Sequence, residues 1–322
     1  MDARFVGRVA FCVATVAASL ANVSDVSGAT YRTANFVIEA PTAALANEIG
    51  LSAERWRKQL AEEWLGKPMP AWTKPCPVRA RVAPHLGAGG ETSFVFDQGE
   101  VFGWDMKVQG SRERVLDSVL PHEITHTVFA SHFRQPLPRW ADEGACTTVE
   151  HASEIGKQER MLIRFLKTGR GIPFSDLFAM KEYPPEVMPL YSQGHSLATF
   201  LIERRGKRAF MEFLADGMTD ENWPAAVRDH YGHDSLHQLQ DQWLAWVKQG
   251  RPRLTLESDV TAIASAPQPT PTTPSAAVAT APQPPAGSVY ASLGPAERPA
   301  SNTARAASVY DASRNDSGLI RR

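Results

Sequence analysis

Charge of one sign is what this sequence most lacks. Lys and Arg number 34 against 35 Asp and Glu, for a formal net charge of -1. That balance offers no electrostatic footing for a nucleic-acid partner or an anionic membrane surface. Long apolar runs are missing too. The N-terminal one, Val9 to Leu20, covers about twelve residues, where a spanning helix needs about twenty, so no stable membrane insertion is expected. Arg4 and Arg8 precede that run and Ser27-Gly28-Ala29 follows it. This is the layout of a secretory signal, and it predicts a cut after Ala29 and a secreted, periplasmic or otherwise extracytoplasmic destination. Cys12 lies within the run but in no lipobox-like arrangement, which excludes a lipoprotein reading. Cysteine is scarce, with three in all. Loss of the signal leaves Cys76 and Cys146, an even pair that permits one disulfide in an exported protein. Cys146 reads equally well as a small buried residue of a helix. No internal repeat is visible, which excludes a solenoid.

What is present suits an ordinary globular protein. The 322 residues, 43% of them hydrophobic, suffice for one large or two small domains with a proper core. After residues 1–29, the stretch 30–110 is expected to form a small α/β layer. Strands are predicted around Phe36 to Ile38, in VRARVAP and in TSFVFDQGEVFGWDMKV, with turns at His85-Gly90 and Asp97-Gly99. Between the first two, Leu45, Ile49, Ala53, Trp56, Leu60 and Trp64 recur at helical spacing from Thr42 to a stop at Gly66. Residues 111–254 turn helical. Predicted helices cover Glu113 to Phe133, with Ser111 as cap and Pro121 as kink or true start, then Pro138-Glu150, Gly156-Lys167, Met188-Arg205, Lys207-Ala215, Trp223-Tyr231 and Leu236-Lys248. The fold class expected is therefore α+β. Residues 255–322, rich in Pro, Ala, Thr and Ser, bury too little apolar surface to offset chain entropy and are expected to be disordered. They read either as a stalk for cell-wall or surface association or as a dispensable tail.

Chemistry concentrates in LPHEITHTVFASH, residues 120–132. On a helix His122 and His126 share one face and can hold one metal ion, with Glu123 beside it as a base. Two residues compete to complete the set. His132 has the spacing of HExxHxxFxxH, but the chain must leave the helix for it to swing inward, and the position that would need glycine is Phe129. If the helix continues, six residues at 100° each carry His132 about 240° from His126, well off the metal side. Glu143, in LPRWADEGA, follows His126 by 17 positions (143 − 126), room for a turn and a returning helix anchored by Trp140. It would give a His, His, Glu site with an open fourth position. Asp142 beside it reads as a solvated carboxylate near a helix start.

HEITH followed by LPRWADEG resembles the gluzincin (MA-clan, thermolysin-like) zinc metallopeptidases, especially small bacterial peptidase-MA-like proteins with HExxH…LPxWxxEG. LYSQGHSLATFLIERRGKRAFMEFL and YGHDSLHQLQDQWLAWV are similar to their later helices, so the resemblance covers roughly residues 31–249. It implies Zn2+ held by His122, His126 and Glu143, Glu123 as general base and acid, a peptide or protein substrate, and an oxyanion held by Tyr191 or His195. It departs at Thr147, where many relatives carry an acidic residue that orients a histidine, so orientation must come from elsewhere. No room for a propeptide is seen between Ala29 and the first strand. EVFGWDMKV is read as the sheet edge beside the active helix, where an extended peptide pairs, or else as an ordinary core strand. The expected activity is that of an exported zinc metallopeptidase. The rival is a non-catalytic exported binding or wall-associated protein, and a metzincin using His132 stands third.

Overall fold

Thr42 caps the N-terminus of helix α1 (Ala43–Leu65) by accepting the Leu45 N–H, and Gly66 closes its other end in the left-handed region at φ 70°. These are the bounds that the helical spacing predicts. A computed structural model of the chain describes residues 28–254 and the backbone of residues 304–311. The predicted signal segment lies almost wholly outside these residues, as does the Pro-rich stretch 255–303. Ala29 opens the first strand. Among the described residues no helix is long and apolar enough to cross a membrane.

The fold is mixed α/β. Strands β1 (Ala29–Arg32), β2 (Phe36–Ala40), β3 (Cys76–Val82), β4 (Gly89–Asp97) and β5 (Glu100–Gly110) form one sheet in the order β1-β2-β3-β5-β4. The pairs β1–β2 and β4–β5 are antiparallel, whereas β2–β3 and β3–β5 are parallel. Gln98 and Gly99, with φ of 50° and 75°, make the tight turn between β4 and β5, since two positive φ values suit the twist of a hairpin. EVFGWDMKV is therefore not the edge. It lies in β5, which pairs parallel with β3 on one side, so its hairpin partner β4 is the strand turned outward. Along β4's outer side runs β6 (Ala304–Asp311), antiparallel, with Gly89 opposite Asp311 and Phe96 opposite Ala304.

Helix α1 packs on β1 and β2, and α3 (Leu120–Phe133) lies beside α1 against β4 and β5. The predicted single helix from Glu113 to Phe133 is three pieces: α2 (Arg112–Arg114), a π-helical turn (Val115–Val119) and α3. The wide turn has a physical cause. Pro121 has no N–H to give and its ring crowds the carbonyl four residues back, which a π turn relieves. Pro121 thus sits in the first turn of α3 rather than kinking its middle.

The remaining helices are α4 (Arg139–Thr147), α5 (Ala152–Lys167), α6 (Phe174–Ala179), α7 (Met188–Asp220), α8 (Trp223–Tyr231) and α9 (Leu236–Lys248). Helix α6, behind Pro173, is too short for periodicity to reveal. The two helices expected on either side of Gly206 are both present within α7, separated at that glycine, whose φ of 83° and ψ of 167° are not helical, and the second extends to Asp220. One continuous core joins sheet and helices through aromatic contacts. Trp64 of α1 meets Phe129 of α3 at 5.0 Å and Phe210 of α7 at 6.2 Å, and Trp140 of α4 meets Phe178 at 4.7 Å. Phe129 stands where a histidine swing would need glycine. It is completely buried, so truncating it would cost about 3–5 kcal/mol. Cys76 and Cys146 are both buried free thiols, not a disulfide.

Candidate metal centre

Three elements meet at HEITH: α3 carries it, α4 returns alongside, and α7 crosses α4. The crossing of α4 and α7 is made by glycines. A Cβ on Gly144 would lie 2.3 Å from the Gly194 carbonyl oxygen, and one on Gly194 would lie 2.6 Å from that of Trp140. Backbone therefore touches backbone, and Glu143 and Tyr191 are drawn together beside α3.

His122, His126 and Glu143 are completely or almost completely buried, with one ligand atom of each within 4.8 Å of the others. His122 Nε2 lies 3.4 Å from Glu143 Oε2, and His126 Nε2 lies 3.6 Å from the same oxygen. Donors held tetrahedrally on zinc at about 2.0–2.1 Å stand about 3.3 Å apart, so the separations fit. The far nitrogens are committed elsewhere. His122 Nδ1 lies 2.8 Å from Glu150 Oε1, and His126 Nδ1 lies 2.7 Å from Asp142 Oδ1. A carboxylate at Nδ1 holds the proton there and leaves the lone pair at Nε2, aimed at the shared space.

Asp142 is thus not a solvated carboxylate. It is buried, and with its neighbour Glu143 it grips opposite nitrogens of one imidazole, because side chains about 100° apart on α4 straddle His126. Thr147, where an acidic residue was wanted, donates its hydroxyl to the Glu143 carbonyl at 2.9 Å. Glu150, seven residues after Glu143 (150 − 143), orients His122 instead.

Glu123 is completely buried under the sheet. Thr92 of β4 donates to its Oε2 at 2.6 Å, while Oε1 takes no hydrogen bond among the described residues. A Cβ on Gly90 would fall 2.4 Å from Oε1, so only glycine lets β4 pass so close. Burial pushes the Glu123 carboxyl up to about 7, against the pull of the two histidines and Thr92. For His122 burial opposes the charged form, yet hydrogen bonds with Glu143 and Glu150 prevail and raise it to about 9. His126 is likewise raised: burial is outweighed by Asp142, Cys146 and Glu143. Burial opposes the charge on Glu143 as well, but the two histidines hold its carboxyl below the usual range.

Four buried carboxylates, Glu123, Asp142, Glu143 and Glu150, thus surround two imidazoles, with Arg139 acting on Asp142 and Glu143 from nearby. Such an excess of buried negative charge and nitrogen lone pairs suits a divalent cation. A second set, His126, Asp142 and Cys146, also clusters. It is the poorer ligand set, because Asp142 already engages His126 Nδ1 and burial pushes the Cys146 thiol up, away from the thiolate that binds metal.

Tyr191 reaches the centre and hydrogen-bonds Glu143. Burial and that carboxylate raise its phenol well above the ordinary value, so it stays a proton donor. His195, one turn on, does not reach it. It is buried where Arg251 is the charge that acts on it, and burial lowers it to about 4. His132 lies exposed near the end of α3 beside Phe133, outside the cluster. Tyr183, unforeseen from the sequence, donates its hydroxyl to Glu143 Oε1 while Arg139 stacks 4.5 Å above its ring. It arrives from an irregular loop, where no spacing rule applies. Beside the Gly89 end of β4 lies a cavity of about 700 Å3 whose lining includes Ala88, Lys157, Arg160, Arg164 and Arg170.

No family model matches this chain, and no curated protein or solved structure matches it.

Proposed function

We propose that this chain is an exported zinc-dependent metallopeptidase of gluzincin type, with an α/β part and a helical part that meet at the metal centre. The observation that carries the reading is the convergence of His122 Nε2, His126 Nε2 and Glu143 Oε2, with each far histidine nitrogen on a carboxylate and Glu123 alongside. His122, His126 and Glu143 would hold the ion. When bound, zinc supplies Lewis acidity, acidifying a water and polarising a substrate carbonyl.

The chain's own groups do the rest. Glu123, with an uncommitted Oε1, takes the proton of the attacking water and passes it to the leaving amine. Thr92, on Oε2, keeps the carboxylate turned so that Oε1 faces the reaction. Tyr191, kept protonated, turns its single O–H from Glu143 to the oxyanion that develops on the substrate. The outer side of β4, passing over Glu123, carries the backbone N–H and C=O groups that an extended substrate chain would use in place of β6. A binding protein that kept only a structural zinc would have no use for a buried base at this position.

The test is zinc content and hydrolysis of a broad peptide library by wild type and Glu123→Gln. The expected result is stoichiometric zinc in both and a loss of about 10²–10⁴-fold in turnover for the variant. Zinc-loaded wild type that cleaves no peptide of the library would favour the non-catalytic reading.

A further inference from the structure

An edge strand is a template: its outward N–H and C=O groups are open to any extended segment that can pair. Here the edge lies over the reactive carboxylate. Gly90 and Thr92 both touch Glu123, and opposite them on β6 stand Tyr310 and Ser308, with Val309 opposite Glu91 between. The pairing is antiparallel and unbroken over eight residues, from Phe96–Ala304 to Gly89–Asp311. A segment of the chain itself thus runs along the strip that the proposed substrate would use, and its residues 308–310 cross the point nearest Glu123.

We infer that Ala304–Asp311 is a built-in occupant of the β4 edge that competes with extended peptides for it, so that the protein restrains its own cleft. This rests on the peptidase reading above for what is restrained, though not for the pairing itself. The geometry of the chain permits it. The 49 residues from 255 to 303 (303 − 254) connect α9's end to β6 and reach, fully extended, about 160 Å, far more than the distance to be bridged inside one domain. Being on the same chain also gives the segment an effective concentration on the order of millimolar. Strand pairing with a dissociation constant of about 0.1 mM would then fill the edge about nine-tenths of the time and weaken a competing peptide about tenfold.

A central strand tolerates no proline on its bonded side, and successive residues of an edge strand face alternately toward and away from the partner. Replacing the adjacent pair Ser308→Pro and Val309→Pro in the full chain therefore removes pairing at Thr92 and Glu91 whichever of the two is bonded. Three readouts are compared between wild type and this variant: hydrogen exchange of the β4 amides, binding of a fluorescein-labelled peptide of residues 302–313, and KM and kcat for an extended peptide substrate.

The variant should lose protection at β4 about tenfold or more and bind the labelled peptide about tenfold more tightly. Its KM should fall about tenfold with kcat unchanged. Equal β4 exchange in the two proteins, or equal affinity for the labelled peptide, would overturn the inference. So would lost protection with an unchanged KM. Exchange and peptide binding need no turnover. A chain that shows the expected change in both but hydrolyses nothing therefore upholds the occupied edge and refutes the peptidase reading separately.

Discussion

The centre has two walls of different construction. On the helical side, α3, α4 and the turn after α4 bury the two candidate histidine ligands and secure each one twice: His122 between Glu143 and Glu150, His126 between Glu143 and Asp142. On the sheet side, β4 touches only Glu123, through one hydroxyl and one glycine. The first wall is a holder, rigid because its groups satisfy one another. The second is a positioner, whose close approach sets where a single carboxylate points. Metal affinity and turnover should accordingly be separable by mutation, a separation that a single catalytic cluster with shared contacts would not allow.

Gly90→Ala strikes the positioning wall. Its methyl would overlap Glu123 Oε1, and a displacement of about 1 Å in a reacting group costs about 10²-fold. Turnover should fall by about that factor while zinc content and chelator resistance stay at wild-type values, as a titration and a steady-state assay would show. Equal loss of zinc and turnover would mean that the walls are not separate.

Asp142→Asn and Glu150→Gln strike the holding wall without removing a ligand. Each should weaken zinc by about 10–100-fold in a competition titration, because an amide no longer fixes the proton at Nδ1. Added zinc in excess should restore turnover for both, which it should not do for Gly90→Ala. An effect confined to one of the two would show that the two histidines are held unequally.

The smallest effect separates Tyr191 from His195, neighbours on α7 that face opposite surroundings. His195 is buried with its affinity lowered to about 4, against an ordinary 6.5. The unfolded chain therefore binds this proton more readily than the folded one. No penalty exists above pH 6.5, and stability is lost as pH falls from there toward 4. At about pH 5.5 the loss is about 1.4 kcal/mol, and His195→Gln should remove that part of the acid slope in denaturant unfolding. If the slope were unchanged, His195 would not be the buried neutral group described.

The clustering of His122, His126 and Glu143 was legible in the sequence because its signal is local. HEITH puts two histidines on one helical face, and Glu143 lies at a distance that a turn and a returning helix can span. Residues whose roles come from the crossing of elements were not legible. Asp142 looked like a surface carboxylate, since nothing local says that α7 presses α4 onto α3 through Gly144 and Gly194. Glu150 and Tyr183 reach the centre from turns and loops, where no periodicity marks direction. The two adjacent carboxylates Asp142 and Glu143, opposite a histidine pair, were the one available hint that both nitrogens of His126 would be engaged. The helices at Ala43–Leu65, Trp223–Tyr231 and Leu236–Lys248 were readable from caps and spacing. The outward strand was not, because the alternation that marks β4 and β5 as strands does not say which of them pairs with β3.

The central claim is that Glu143, not His132, completes the metal set with His122 and His126. Zinc analysis of wild type, Glu143→Ala and His132→Ala, purified and dialysed together, tests it most directly. One zinc per chain in wild type and His132→Ala, and none in Glu143→Ala, is the predicted result. Zinc kept by Glu143→Ala and lost by His132→Ala would contradict it.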